Sequence, residues 1–389
     1  MSSVSSPKSD SLFSRGLPAI YIISFLSGIS LGIFNPLISA FMEHNQTDDV
    51  WIGANSTVYF LFITLATPFV AKLLRSLGIR RTIMLGLLML GLSAVLFPFT
   101  KLLPLWFVIR ACMGIGACLF LVAGQTGLNH FCHQNNRAIA NGLQALSFGV
   151  GLALGPIISF IPYSISPKLP FLLGSALILS GIFVAACGIP ESFIVAQKSN
   201  IKILKNLTIP LHAAFAYGLA IATLVSLYPV YLLRQNYSVE EMSYIFSIFV
   251  FGDIVSTLPV TYLAQRYGQI KLIFTNVCIG IISLQIISSF DSYIISVIFS
   301  FLAGASIGPI FALTLSLIGD KLSKEDLPSG TAIFTGIYSI GCTVAPLISS
   351  LFMKSFGVKY IFTFTMLVFV LLFLRMILGK VNLVTSSKN

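Results

Sequence analysis

The sequence is poor in charged residues. Only 9% of its 389 residues are Asp, Glu, Lys or Arg, whereas a soluble globular domain carries about 25%. The chain is therefore not a soluble enzyme. No His-rich or paired acidic cluster falls at a common membrane depth, so a membrane enzyme is also disfavoured. The sequence has no Gly-Lys-Ser or Gly-Lys-Thr phosphate loop, which argues against an ATP-driven pump.

Cysteine and histidine are also sparse, at six and four residues. Five of the cysteines fall within apolar runs, where they are expected to pack as small hydrophobic side chains rather than to form a disulfide framework. His130, Cys132 and His133 lie close together, but their spacing is not a zinc-binding pattern. We therefore predict no metal site and no cofactor.

Long apolar runs are what the sequence has in abundance. Hydrophobic residues make up 56% of the chain, and the mean hydropathy is +0.95. Twelve runs are long enough to cross a bilayer as helices. They lie near 17–42, 51–73, 82–100, 103–127, 138–161, 169–190, 208–233, 241–264, 271–290, 292–318, 329–353 and 358–379. The predicted fold class is an all-α integral membrane protein with twelve transmembrane helices.

The basic residues are distributed unequally between the two sides of the membrane. With both termini on one side, that side collects 17 Lys and Arg residues and the other side keeps five. Because the more basic side is cytoplasmic, we expect a multi-pass protein of the cell (inner) membrane with both termini inside. Topology thus explains the net charge of +11. The expected surroundings are the lipid bilayer, and no nucleic-acid partner is predicted.

The two halves of the chain are related by one ungapped offset of 190 residues. The offset brings Gly28 onto Gly218, Gly114 onto Gly304, Gly151 onto Gly341 and Pro156 onto Pro346. An even number of spans per half makes the halves parallel repeats, with a substrate site at their interface near the midplane. The predicted organisation is an N-terminal tail (1–16), a six-helix half (17–190), a linker (191–207), a second six-helix half (208–379) and a C-terminal tail (380–389).

Two loops carry a family resemblance. The loop after the second span reads Arg75-Ser-Leu-Gly78-Ile-Arg80-Arg81 and resembles the signature Asp-Arg-x-Gly-x-Arg-Arg of the major facilitator superfamily. The second half repeats it as Gln265-Arg266-Tyr267-Gly268-Gln269-Ile270-Lys271. The resemblance covers nearly the whole chain and implies a compact, bacterial-type secondary transporter that is a monomer. It also implies that eight residues form cytoplasmic gating loops: Arg75, Gly78, Arg80, Arg81, Gln265, Arg266, Gly268 and Lys271.

Both copies depart from the signature at its acidic position. Arg75 and Gln265 stand where the family has an acid, so a latch between the halves must use other partners here. Because of this departure, a different class of function stays open: a non-transporting membrane receptor or partner subunit.

The two halves each place one charged residue deep in the membrane. Arg110 precedes Gly114 in the fourth span, similar to a family motif whose arginine is associated with proton-linked transport. Asp253 lies twelve residues after Glu241, a depth of about 18 Å and hence near the midplane. We predict that Arg110 and Asp253 couple transport to protons. A permanent structural ion pair between the halves is the alternative.

The fifth span carries a glycine motif. Gly142, Gly151, Gly155 and Pro156 match the spacing of the family's antiporter motif, and glycines four residues apart allow close helix packing. The resemblance implies export in exchange for protons.

Other polar residues inside the spans are predicted to line a substrate cavity with Arg110. They are Asn35, Gln125, Gln144, Tyr217, Tyr228 and Tyr338. We therefore expect alternating-access, proton-coupled transport of a small organic solute, leaning towards export. Proton-symport uptake of an organic anion, such as a carboxylate or a siderophore-like chelate, is the alternative.

Overall fold

A computed structural model describes residues 12–13, 16–132, 136–192, 207–322 and 327–386. Twelve long helices make up nearly all of this part of the chain, and all twelve are long and apolar enough to span a membrane. Their bounds are α1 Leu17–His44, α2 Asp49–Ser76, α3 Gly78–Leu96, α4 Leu103–Phe131, α5 Arg137–Tyr163, α6 Leu169–Gly188, α7 Thr208–Arg234, α8 Val239–Tyr267, α9 Gln269–Ser289, α10 Tyr293–Lys321, α11 Leu327–Phe356 and α12 Thr363–Ser386. The prediction of twelve spans is confirmed.

Several helices extend beyond the apolar runs because polar residues cap them. The Asp48 side chain accepts a hydrogen bond from the Val50 backbone N–H at the start of α2. Ser238 and Glu241 form a reciprocal capping box at the start of α8, which satisfies backbone N–H groups that have no partner within the helix. At the other end of the chain, α12 continues to Ser386, into the stretch expected to be a tail. Most of the expected N-terminal tail and of the linker lies outside the described residues.

The helix bundle has two ends, which we name by what they carry. The termini end is where α1 begins and α12 ends, and it also holds the turns after α2 and α8. The far end holds the turns after α1, α7 and α11. Alternate helices run in opposite directions between these two ends.

The internal repeat is present in the helix contacts as well as in the sequence. A Cβ on Gly28 would lie 1.9 Å from the Phe148 carbonyl oxygen, and a Cβ on Gly218 would lie 2.3 Å from that of Tyr338. Both members of the second pair follow those of the first by 190 residues. Glycine thus brings α1 against α5 in the first half and α7 against α11 in the second, since no other residue leaves room for the facing backbone.

The two halves are in contact towards the far end. The backbone N–H of Leu347 on α11 donates to the Thr57 hydroxyl on α2 at 3.2 Å. A Cβ on Gly53 would lie 2.5 Å from the Pro346 carbonyl oxygen, so α2 and α11 touch through their backbones. On the opposite side of the molecule, the Ser247 hydroxyl of α8 donates to the Ala153 carbonyl of α5 at 2.9 Å. These contacts hold the far ends of the halves together.

Candidate functional site

Arg110 is completely buried, with 0% of its surface exposed. Its Nη2 donates to Oδ1 of Asn35 on α1, and its guanidinium carbon lies 4.4 Å from the centre of the Tyr59 ring on α2. Among the described residues, Nε and Nη1 have no hydrogen-bond partner. A buried cation without a counter-ion is costly, so this guanidinium is prepared to receive an anionic or hydrogen-bond-accepting group.

Glycine sets this geometry. A Cβ on Gly114, one turn after Arg110, would lie 2.5 Å from the Tyr59 carbonyl oxygen. The close approach of α4 to α2 places the Tyr59 ring beside the guanidinium, where a cation–π contact stabilises the charge. Tyr59 was missed in the sequence, where only its place in an apolar run was visible.

Asp253 lies midway along α8 and faces α10. Its Oδ1 accepts a hydrogen bond from the Thr257 hydroxyl at 3.1 Å, one turn further along the same helix. A Cβ on Gly308 would lie only 1.8 Å from this oxygen, and a Cβ on Gly304 would lie 3.1 Å from the Asp253 backbone nitrogen. The carboxylate therefore lies in a notch that only glycine leaves open. The Gly304-x3-Gly308 spacing, which the sequence analysis did not use, could have indicated this notch.

Three aromatic side chains of the second half pack together close to Asp253 and to Tyr59, the neighbour of Arg110. The Tyr217 ring on α7 stacks on Tyr338 of α11, with ring centres 5.7 Å apart, and both contact Phe311 of α10. Tyr217 lies within electrostatic range of Asp253, and Tyr338 lies within electrostatic range of Tyr59. The structure thus brings the predicted residues Arg110, Asn35, Tyr217, Tyr338 and Asp253 into one region that spans both halves.

Arg110 and Asp253 do not form an ion pair. Arg110 bonds to Asn35 within the first half, and Asp253 bonds to Thr257 within the second. No ion pair of either residue occurs among the described side chains. The alternative of a permanent ion pair between the halves is therefore wrong for this conformation.

Two of the remaining predicted cavity residues, Gln125 and Tyr228, form their described hydrogen bonds elsewhere. Gln125 on α4 donates to Asn141 on α5 at 2.8 Å, nearer the termini end. Gln144 is partly buried on α5. The prediction that Tyr228 lines the substrate cavity is wrong for this conformation. Its hydroxyl bonds to Ser300 at 2.7 Å, and its fully buried ring packs on Phe362. Both the ring and the hydroxyl are engaged inside the second half.

Only part of the glycine motif of α5 lies in close helix contacts. A Cβ on Gly151 would lie 2.1 Å from the Phe25 carbonyl oxygen of α1, and one on Gly155 would lie 2.6 Å from Gly32. Pro156 lies within the helix directly after this contact. Gly142 does not belong with them, because it is exposed and a Cβ there would meet no atom within 4 Å. Gly142 lies nearer the termini end, and α5 does not touch the backbone of α1 at this residue.

The turns at the termini end explain the two signature glycines. Gly78 has φ +79° and Gly268 has φ +87°, a left-handed backbone that glycine adopts without steric cost. In the first turn, Arg80 and Arg81 both pair with Glu191, which follows α6. In the second half, Gln269 donates to Asp320 of α10 at 2.6 Å. All of these contacts stay within one half.

The other predicted gating residues also lack a described bond to the opposite half. Arg75 donates to the Ala71 carbonyl of its own helix at 3.2 Å, and Arg266 lies over the adjacent Tyr267 ring. Gln265 and Lys271 are exposed. Among the described contacts, each signature loop bonds only to residues of its own half.

Ion pairs at the far end join the halves, and these were missed in the sequence. Arg234, the last residue of α7, donates through Nε and Nη2 to the two carboxylate oxygens of Glu43 at 2.8 and 2.7 Å. Its Nη2 also pairs with Asp49 of α2. Lys354 of α11 pairs with Asp48 at 2.6 Å. We call these five side chains the far-end latch.

The structure shows no candidate metal centre among the residues it describes. His133, one of the three residues considered for a metal in the sequence, lies outside them. His130 packs edge-on against the adjacent Phe131 ring.

Comparison with known proteins places this architecture in a family. The family model of the Major Facilitator Superfamily matches residues 20–209 and 211–387. The MFS-type transporter YfkF of Bacillus subtilis is 28% identical over 372 residues, which cover 93% of this chain and 94% of that protein. A mutant of the nucleoside transporter NupG superposes with a TM-score of 0.80 at 12% identity, covering 93% of this chain and 99% of that one. An inward-facing, occupied bacterial homologue of the human lysosomal transporter Spinster superposes with a TM-score of 0.77 at 13% identity, over 94% and 96% of the two chains.

Proposed function

The chain belongs to the Major Facilitator Superfamily, and we propose that it is a proton-coupled transporter that exports a small organic solute across the bacterial inner membrane by alternating access. Membership makes it a secondary transporter rather than an enzyme. The proton coupling, the direction and the residues in the site are our proposal. A monomer is sufficient for it, because both charged residues come from one chain.

The proposal assigns the described conformation to one step of the transport cycle. With the termini end in the cytoplasm, as the basic residues favour, the far-end latch closes the outer side. Among the described contacts, the signature loops form no bond between the halves at the inner side. The proposal then requires the candidate site to open towards the cytoplasm, which is the side from which an exporter loads its solute.

Asp253 carries the proposal. Its carboxylate lies in a glycine notch at the level where the halves meet, and no described cation neutralises it. A carboxylate in the membrane without a cation gains from taking up a proton. Binding a proton and binding a solute then become alternative ways to satisfy the same group, which is the requirement for exchange.

The glycine contacts of α5 support export only through family resemblance. Gly151 and Gly155 hold α5 on α1, as the family's antiporter motif would require. However, Gly341 makes the same close contact in the second half, with a Cβ position 2.4 Å from the Phe215 carbonyl oxygen. Packing alone therefore does not assign a direction, and the direction of coupling has to be measured.

The direction can be measured in vesicles. The purified protein is reconstituted into liposomes, a soluble bacterial metabolite extract is added outside, and the lumen is analysed by mass spectrometry. An acidic lumen drives solute inwards if protons leave in exchange, and an alkaline lumen does so if protons enter with it. This sign does not depend on how the protein is oriented in the vesicle. We expect accumulation with the acidic lumen.

Asp253→Asn tests the residue. We expect it to abolish gradient-driven accumulation and to leave solute exchange at equal pH intact. Asp291→Asn is the matched control, since Asp291 pairs with Lys359 at the surface of the second half, and it should transport normally. Accumulation that survives in Asp253→Asn contradicts the proton role. The absence of accumulation under either gradient contradicts transport and favours a receptor.

Proton-symport uptake of an organic anion is the second candidate, and Arg110 favours it. Two of the three guanidinium nitrogens have no described partner, and a carboxylate can accept hydrogen bonds from two of them at once. Lysine keeps the charge but not this fork. If a carboxylate binds here, Arg110→Lys should raise the half-saturating concentration of the anionic solute about tenfold, the effect of about 1.4 kcal/mol. Unchanged kinetics contradict anion binding at Arg110.

A further inference from the structure

A groove of about 470 Å³ lies outside the candidate site, at the termini end of the second half. It is formed where α7, α11 and α12 come together. Its lining consists of Thr208, Leu211, His212, Phe215, Ile337, Ile340 and Arg375. Thr208 is the first residue of α7, and Phe215 lies seven residues further along, so the groove extends about 10 Å from the helix end into the apolar layer.

The groove opens on the surface that faces lipid. On α12, Leu371, Leu374 and Leu378 are 57%, 47% and 63% exposed, which marks a membrane-facing surface on a helix of this hydropathy. Ile340 is 47% exposed at the groove. Ile340 points to a different face of α11 from Tyr338, which stacks on Tyr217 in the candidate site. The groove is thus separate from the transport site.

The end of the groove nearest the membrane surface is positively charged. Arg375 is exposed and forms no ion pair with any described carboxylate. The first turn of α7 adds the positive end of a 27-residue helix. The buried Nδ1 of His212 has no hydrogen-bond partner among the described residues. None of the described residues that line the groove is acidic.

We propose that this groove binds an anionic phospholipid. The phosphate lies against Arg375 and the start of α7, and one acyl chain lies along Phe215, Ile337 and Ile340. An arginine on a lipid-facing helix needs an anion or water for its charge, and a lipid phosphate at this level supplies one. The apolar continuation fits a lipid rather than free phosphate, which has no group to place there. This inference rests on the membrane location and not on the proposed direction of transport.

Lipid binding can be counted directly by native mass spectrometry. The full-length protein in detergent is incubated with dioleoyl phosphatidylglycerol or with dioleoyl phosphatidylcholine. We expect phosphatidylglycerol to bind more tightly. Arg375→Gln should weaken its binding about fivefold, the effect of one basic charge at an anionic surface. Arg375→Lys should retain most of the binding.

Two further variants separate the charge from the apolar groove. Lys72→Gln removes an exposed basic residue at the same end of the first half and should leave lipid binding unchanged. Ile340→Trp fills the groove and should weaken the binding of both lipids. Equal binding of the two lipids, or unaltered binding by Arg375→Gln, overturns the proposal. Displacement of the bound lipid by millimolar inorganic phosphate would identify a free-phosphate site and would overturn it too.

Discussion

The two ends of the molecule use their charges differently. At the far end, Arg234 and Lys354 of the second half pair with three acids of the first half, Glu43, Asp48 and Asp49. At the termini end, the described pairs stay within one half, as between Arg80 and Glu191. One end therefore ties the two halves together, and the other strengthens each half as a unit.

This difference shows what each end can contribute to alternating access. The ion pairs of the far end must break when the halves rock the other way, so they stabilise the described conformation relative to the alternative. The contacts at the termini end need not change, because they move with their own half. Substitutions at the far end should therefore shift the conformational equilibrium, and equivalent substitutions at the termini end should not.

The largest effect is expected from Gly53→Val. A Cβ on Gly53 would lie 2.1 Å from the Ser350 hydroxyl and 2.5 Å from the Pro346 carbonyl oxygen. Because this backbone oxygen cannot turn aside, the substitution should destabilise the closed far end by about 3 kcal/mol, the upper range for overpacking. The far end should therefore open. Distances between spin labels at His44 and Glu240, in a variant without native cysteines, measure the opening.

Gly142→Val is the matched control at the termini end. The same isopropyl side chain is added to another helical glycine, but a Cβ on Gly142 meets no atom within 4 Å. We expect the spin-label distances of the unsubstituted protein. A far end that stays closed in Gly53→Val, or that opens equally in Gly142→Val, would remove the contrast between the ends.

The next largest effect is expected from Arg234→Gln. Arg234 makes two hydrogen bonds to Glu43 and pairs with Asp49, and these side chains are only 13% to 29% exposed. Hydrogen bonds to charged groups of this kind contribute about 1.5 to 3 kcal/mol. The same label pair should show a population with a wider far end.

Arg75→Gln is the control for the loss of a positive charge. Arg75 lies at the termini end, is exposed, and bonds only to the Ala71 carbonyl of its own helix among the described contacts. Its substitution should leave the far-end distances unchanged. If both substitutions widen the far end, net charge rather than the latch controls the equilibrium.

The sequence predicted most of the fold because bilayer helices leave a direct signal. Apolar runs predicted the twelve spans, and the offset of 190 residues aligned Gly151 with Gly341, which make equivalent contacts with Phe25 and Phe215 in the structure. These are properties of single helices or of their repetition. They do not depend on knowing how the two halves are tilted against each other.

The contacts between the halves could not be predicted in the same way. The acidic segment from Glu43 to Asp49 is visible in the sequence, but nothing there pairs it with Arg234 at the end of α7. Likewise, Tyr228 resembled a cavity residue in the sequence, but helix rotation turns it onto Ser300 and Phe362. Helical periodicity predicts which residues share a face of a helix. The packing of the helices decides which residues that face contacts.

A smaller effect is expected from Lys354→Gln. The Lys354 and Asp48 side chains are 54% and 42% exposed, and surface ion pairs contribute at most about 1 kcal/mol. The far-end population should shift less than in Arg234→Gln, and the shift should shrink further at high salt. Lys359→Gln is the control, because Lys359 pairs with Asp291 inside the second half. A shift as large as that of Arg234→Gln would mean that the latch is centred on Lys354.

The smallest effect is a pH dependence that comes from Asp48. The hydrogen bond from Lys354, followed by that from the Val50 backbone N–H, lowers the pKa of Asp48. A carboxylate whose pKa is lowered in the closed state stabilises that state at neutral pH. The stabilisation is lost as the pH falls through the lowered pKa, below about 4. The far-end distances should therefore stay constant from pH 7 to 5 and widen slightly below this range. Asp48→Asn should remove the part of the change that comes from this residue. If the acid-induced widening is the same in that variant, Asp48 does not contribute to it.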